Sequence, residues 1–332
     1  MRDFHENDTM STRSESWFLR LALATVVLFY LVVVAASVVR ATGSGMGCPD
    51  WPKCFGNLIP PTEASQVSAD YLKAHPQFRI EEFNAAKTWT EYVNRLLGAT
   101  SGIFLMGTLV CSLWNWRRDR GTPLILITTM VLASIVIWLG KKVVDQNLDP
   151  RQVTIHMLGG LLLVMGSVIA ATRVSFRVRH LPAVSLPKKL HALLWISLVA
   201  VVAQVLVGTQ MREGVDRLIS AGECCNGRIE STLGGIYLLH RLLAALVVFS
   251  VVPVFFWMRS LSGQPFGWFN LALGGLIGAS YLIGVLLVRW HLPAYLQPAH
   301  LVLATMVLGI IVMMLTASRP AAHVQSEPEG SA

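Results

Sequence analysis

The chain has 332 residues, 54% of them hydrophobic and only 14% charged, with a formal net charge of +8. That balance excludes a disordered chain and an ordinary soluble globule, and it describes a polytopic membrane protein. The positive excess needs no nucleic acid, because a membrane protein carries Lys and Arg in the connections that set its orientation; the first partner expected is membrane lipid.

The polar tail 1–16 holds Asp3, Glu6, Asp8 and Glu15, acids that a mitochondrial transit peptide avoids. The apolar run behind it is longer than a signal-peptide core, so the first span is read as retained. A hydrocarbon core of roughly 30 Å takes about 20 apolar residues per helix. Eight runs meet that length: 17–40, 93–116, 123–141, 153–173, 190–211, 234–257, 268–290 and 298–317. A soluble helical bundle would show polar faces along these runs, and they have none. The short connections after spans 2, 4 and 6 hold Arg117, Arg118, Arg120, Arg177, Arg179, Lys188, Lys189 and Arg259. The positive-inside rule therefore places both termini in the cytoplasm, and the loops after spans 1 and 5 in the periplasm.

Four of the five cysteines, Cys48, Cys54, Cys224 and Cys225, fall in those two outer loops, where disulfides persist. Cys111 lies inside span 2 and reads as a small core residue. Cys48 and Cys54 stand six apart, a spacing that a turn can close into a disulfide; two free thiols in a rigid loop is the other reading. Cys224 and Cys225 are adjacent, and the sequence does not choose a partner for either. No set of four ligands at finger-like spacing suggests a structural zinc.

An internal repeat organises the chain. Glu91-Tyr92-Val93-Asn94-Arg95 at the start of span 2 aligns with Tyr237-Leu238-Leu239-His240-Arg241 at the start of span 6. His156 near the start of span 4 aligns with His300 near the start of span 8, and Arg40 at the end of span 1 with Arg212 at the end of span 5. The expected fold class is an all-α membrane protein of eight transmembrane helices, arranged as two pseudo-symmetric four-helix bundles. A unit of four helices keeps both halves in one orientation, which gives a pseudo-two-fold along the membrane normal. The expected division is a cytoplasmic tail 1–16, a first half 17–175 with an outer loop 41–92, a basic linker 176–189, a second half 190–318, and a tail 319–332.

Spans 2, 4, 6 and 8 all start on one side, so His156, His240, His300 and the Glu91/Asn94 pair share one depth. An ionisable group in a membrane helix is costly without a partner and marks function. A single helix-mouth histidine is most often a satisfied interfacial residue. Two at repeat-related positions, with a third in the other half, point instead to ligands of haem iron built between facing helices. His240 with His300 makes a closed six-coordinate site suited to electron transfer. His156 faces a position where Asn94 replaces histidine, which leaves one side open beside the Glu91 carboxylate, a group able to move protons. Arg95 and Arg241 are candidates to pair haem propionates, since a guanidinium suits carboxylates; snorkelling to the interface is their bland alternative. His5, His75, His180, His191 and His323 lie in tails or connections, and His291 follows Arg289 and Trp290 at a span end, where it reads as an interface anchor.

The run Arg40-Ala-Thr-Gly-Ser-Gly-Met-Gly-Cys48-Pro-Asp-Trp-Pro-Lys-Cys54-Phe-Gly resembles the first outer loop of the haem A synthase family. The helix-mouth Glu-x-x-(His/Asn)-Arg and the three further histidines are similar to that family's plan over about 17–317. The resemblance implies a protein of the bacterial inner membrane that oxidises the C8 methyl of haem O to the formyl group of haem A. It implies haem b held by His240 and His300, haem O as substrate with His156 as its ligand and Asn94 and Arg95 beside it, Glu91 as catalytic carboxylate, and Cys48 with Cys54 as a disulfide or thiol-exchange pair. It also implies a haem O synthase, a farnesyltransferase, as supplier and a place in cytochrome oxidase assembly; a homo-oligomer is left open. Family members commonly carry histidine where this chain has Asn94. The alternative is a membrane b-type cytochrome exchanging electrons with quinone without oxidising a substrate. A solute carrier would show helices broken at midplane, and spans 2, 4, 6 and 8 read as continuous.

Overall fold

The computed structural model describes residues 2–76, 78–114, 116–117, 119–220, 229–260, 267–290, 293 and 295–320. Among these residues nine α-helices follow one another: α1 (Arg2–Ala41), a short α2 (Ala69–Ala74), α3 (Ala85–Trp114), α4 (Gly121–Asp145), α5 (Pro150–Val178), α6 (Lys188–Ser220), α7 (Ile229–Ser260), α8 (Gly267–Arg289) and α9 (Leu296–Ala317). All but α2 are long and apolar enough to cross a membrane. Their outer faces are apolar too: Ile103 and Phe249 are more than two-thirds exposed, which suits lipid and not water.

The eight expected spans are these eight helices. The largest difference is α1, whose helix starts at Arg2 and takes in most of the expected tail 1–16; α3 likewise starts at residue 85 and not near 93. Its first two turns are polar enough to escape a hydropathy reading, yet Asn84 caps them by accepting the Lys87 N–H at 3.1 Å. Likewise α5 starts at 150, where Asp149 accepts the N–H groups of Arg151 and Gln152 and Pro150 occupies the first turn. In α7 the chain turns at Gly234, with φ 43°, at the start of the membrane-spanning part Leu233–Ser260. That break sits at the mouth, and Pro253 lies farther along the same helix.

The halves share a packing pattern. In the first, α1 lies along α3, α4 along α5, and α1 and α5 close the bundle; in the second, α6 lies along α7, α8 along α9, and α6 and α9 close it. The halves meet chiefly through α5 and α9. Buried hydroxyls stitch equivalent pairs: Thr25 and Thr108 lie 2.9 Å apart between α1 and α3, and Ser197 and Ser250 lie 2.7 Å apart between α6 and α7. Such pairs supply the interhelical attraction that hydrophobicity cannot supply in lipid. Thr25 and Ser197 are 172 residues apart, as are Arg40 and Arg212. Between the halves, Tyr30 donates to the Thr305 carbonyl at 3.3 Å. A Cβ on Gly309 would lie 1.9 Å from that hydroxyl, so a glycine is needed there. On the side away from the long loop, β1 (Val184–Leu186) pairs in parallel with β2 (Ser318–Pro320), which ties the connection between the halves to the chain's end.

Candidate functional site

The loop between α1 and α3 is a folded cap. Phe55 sits at the centre of its own small core, edge-on to Tyr71, Phe78 and Phe83, with Cys48, Cys54 and Val67 buried around it. Cys48 and Cys54 are joined in a disulfide. The Asp50 carboxylate accepts the N–H of Phe55 at 2.6 Å and of Gly56 at 2.9 Å, and the Tyr71 hydroxyl donates to it at 3.3 Å. Burial and the neighbouring Asp50 charge push the Tyr71 pKa up, so its hydroxyl stays a donor. Adjacent Cys224 and Cys225 lie outside the described residues, as does His291.

Two side chains of α3 clamp this cap. Glu91 is only 5% exposed; it accepts the Cys48 N–H at 2.8 Å and pairs with Arg95 one turn on. Arg95 also donates to the carbonyls of Asp50 (2.8 Å), Lys53 (3.0 Å) and Cys48 (2.9 Å). Thr88 donates to the Gly47 carbonyl at 2.8 Å. A Cβ on Gly47 would fall 2.4 Å from the Lys87 carbonyl oxygen, so only glycine lets the loop lie this close to the helix. Removing either member of a buried charge pair costs about 3–5 kcal/mol, because the other charge is left without a partner. The structure thus brings Glu91, Arg95, Cys48 and Cys54 together. Arg95 is directed to loop carbonyls, a role that the sequence reading did not foresee.

Asn94 is half-buried one turn from Glu91, and its Oδ1 is buried without a hydrogen-bond partner. An amide oxygen in that state is an acceptor held ready for a donor. Across the bundle, His156 donates from Nδ1 to the Val136 carbonyl of α4 at 3.1 Å. That bond assigns the proton to Nδ1 and leaves the Nε2 lone pair for a metal. Arg40 reaches the sulfur of Met157, next to His156, at 3.2 Å.

In the second half, His240 and His300 face each other from α7 and α9, with ring centroids 6.4 Å apart and planes inclined by 52°. Two imidazoles on opposite sides of one metal, each bonded at about 2 Å, have ring centres about 6 Å apart, close to the separation of this pair. The Gln204 side-chain amide lies 3.1 Å from His240 Nε2 and donates to it. Arg241 is exposed and stacks over the Tyr237 ring at 5.6 Å. Arg212 donates to Gln297, one turn before His300, much as Arg40 reaches a residue beside His156; the sequence marks these two arginines only as ends of the repeat. Among the described residues no three His, Cys, Asp or Glu side chains converge on a metal. A two-histidine donor set suits an iron whose other four ligands come from a porphyrin, and does not suit a bare ion.

The site also includes residues that sequence reasoning missed. Gln204, Thr88 and the Val136 carbonyl carry no motif, and their roles arise only from contacts between elements distant in the chain; Asp50 lies in the quoted loop run, but its role there was not read.

Comparison with known proteins adds an independent finding. The model of a family described as cytochrome oxidase assembly protein matches residues 19–312. A heme A synthase of Methylobacterium sp. (strain 4-46) is 26% identical over 330 residues, covering 89% of each chain. A heme A synthase of Shewanella oneidensis is 26% identical over 194 residues, which is 58% of this chain and 55% of that relative, so the likeness spans about half of its length. A protoheme IX farnesyltransferase of Thermus thermophilus is 28% identical over 335 residues, which is 92% of this chain but only 49% of that protein.

Proposed function

This chain belongs to the cytochrome oxidase assembly protein family, and from that premise we propose that it oxidises the C8 methyl of haem O to the formyl group of haem A. The observation that carries the proposal is the pairing of unlike helix mouths. One holds two facing histidines 6.4 Å apart. The other holds one tethered histidine, an acceptor without a partner at Asn94 and a buried carboxylate at Glu91.

Under this reading His240 and His300 hold haem b, which when bound carries single electrons. His156 holds the substrate haem from one side, and Asn94 offers Oδ1 to a donor on the other. Taking a methyl to a formyl group removes four electrons and adds one oxygen atom, so protons must leave the site and an oxidant must accept the electrons. Glu91 is the candidate proton acceptor, and its bonds to Cys48 and Arg95 hold its oxygens at one place beneath the cap. Arg95 orients Glu91. Arg241 is the candidate propionate partner in the second half, where it lies exposed at the mouth.

The proposed division is the one expected from the sequence: substrate half 17–175, linker 176–189 and haem b half 190–318, with tails 1–16 and 319–332. The proposed setting is the bacterial inner membrane, both termini cytoplasmic and the cap outside. A farnesyltransferase that makes haem O is the proposed supplier. The Thermus relative supports that link, since a protein of that name carries this chain's likeness in half of its length. The product would serve cytochrome oxidase assembly.

The test is haem extraction from the purified chain, expressed with and without haem O supply. Haem A or hydroxylated haem O alongside haem b, appearing only with supply, is the expected result. Two equivalents of protohaem under both conditions would overturn the synthase reading in favour of a b-type cytochrome.

A further inference from the structure

Behind each of the three mouth histidines stands a glycine on the neighbouring helix, and behind His156 a carbonyl as well. His156 meets the Val136 carbonyl at 3.1 Å, and its Cε1 lies 3.1 Å from where a Cβ on Gly140 would be. The Cε1 of His300 lies 3.3 Å from a Cβ built on Gly284, and the Cε1 of His240 lies 3.3 Å from a Cβ built on Gly208. At His240 and His300 the Nδ1 is buried and completes no hydrogen bond, unlike at His156. At His156 the glycine lies four residues after the carbonyl that takes the hydrogen bond, 136 and 140.

That spacing has a physical reason. A helical carbonyl already accepts the N–H four residues on, and helical side chains lean back over the preceding turn. The side chain at the fourth position therefore covers the carbonyl's second lone pair. Glycine there uncovers it, and an imidazole from the next helix can donate Nδ1–H to it. A histidine so held presents Nε2 toward the bundle, and at His240 the Gln204 amide already treats Nε2 as the acceptor.

The fourth mouth supplies the contrast. The 172-residue offset that relates Arg40 to Arg212, and Thr25 to Ser197, places Ala36 where the second half has Gly208. By the same repeat its counterpart across the bundle is Asn94 and not a histidine. Glycine and histidine are present together three times and absent together once.

We infer that Gly140, Gly208 and Gly284 are positioning residues that seat the rings of His156, His240 and His300 against the neighbouring helix, with the Val136 carbonyl also fixing the donor nitrogen of His156. The inference rests on the haem-site reading above. It deepens that reading by assigning three histidines and no fourth: two that would hold haem b and one that would hold the substrate. An outer contact of this kind typically changes metal affinity by about 10–100-fold when lost.

The test uses the full-length protein in detergent, titrated with protohaem and followed by optical and low-temperature EPR spectra. Gly208→Ala and Gly284→Ala should weaken protohaem binding about tenfold and shift the low-spin g values. Gly278→Ala, on the same helix as Gly284 but facing open space, should match the wild type. Gly140→Ala should leave the haem b signals in place and weaken retention of haem O. Asn94→His combined with Ala36→Gly should create a second low-spin centre, which Asn94→His alone holds several-fold less tightly. Circular dichroism of each apo form checks that the fold is kept. If His300→Ala also retains protohaem unchanged, the haem assignment itself fails. If His300→Ala loses haem while Gly208→Ala and Gly284→Ala behave as Gly278→Ala does, the support device is overturned and the haem site stands.

Discussion

The mouths of α3 and α7 align in sequence and differ in what their side chains hold. At α7, His240 and Arg241 follow Tyr237; the histidine faces His300 and the arginine stacks on the tyrosine at the exposed rim. At α3 the equivalents are Glu91, Asn94 and Arg95, and the two charged groups grip a folded cap through four loop contacts. An acid in place of Tyr237 thus gives the first mouth a partner for its arginine and an acceptor for the loop. The lesson is that a charge at a helix mouth is read by its partner. Arg95 and Arg241 occupy one repeat position, yet one is a loop anchor and the other a rim cation.

Substitutions can break this contrast, and the largest effect is expected at the histidine pair. Replacing His240 or His300 with alanine should abolish the low-spin haem b spectrum; a spectrum like the wild type's would remove the pair from the site. Next comes Glu91→Gln, which keeps an acceptor for Cys48 but removes the charge. Haem A yield should fall to background with haem b retained, and a normal yield would show that the carboxylate takes no part in the chemistry. Arg95→Met should cost about 3 kcal/mol by leaving Glu91 without its partner. Hydrogen exchange should then rise across residues 44–57 and stay unchanged in α7; uniform exchange would mean that the cap does not depend on the clamp. A smaller effect sharpens the open-versus-closed distinction: cyanide or imidazole should perturb a first-half haem on the Asn94 side and spare the second-half one.

The smallest effect lies on the opposite membrane side. Asp119 accepts from Thr122 and pairs with Arg173 and Arg177. Burial works to raise its pKa, but the Thr122 and Arg173 bonds outweigh it and hold the carboxyl down at about 2, below the ordinary 3.8. A depressed folded-state value stabilises the fold above the unfolded pKa, and that contribution is lost as pH falls from about 4 toward 2. Asp119→Asn should therefore lower stability by about 1–2 kcal/mol at pH 7 and flatten the acid limb. It should leave both haem sites untouched, and a change in either would link the two membrane sides.

Much of the fold was legible because membrane insertion is a local property: about 20 apolar residues in a row suffice. Capping was legible in principle at Asn84 and Asp149, but a hydropathy reading passes over a polar first turn. The common starting side of spans 6 and 8 brought His240 and His300 to one depth without any structure, because helices that start on the same side carry equal offsets to equal heights.

Packing between helices decided the rest. No spacing in the sequence says that Arg95 meets the carbonyls of Cys48, Asp50 and Lys53, since those partners lie more than 40 residues away and belong to a loop with its own core. Nor does it say that Val136 turns a free lone pair to His156, which depends on how closely α4 and α5 approach. The sequence alone determined which segments enter the membrane and which residues share a depth, because both follow from counting along a helix. Only the tertiary structure decided each mouth residue's partner, because that depends on the distance between helices, which counting along one chain does not contain.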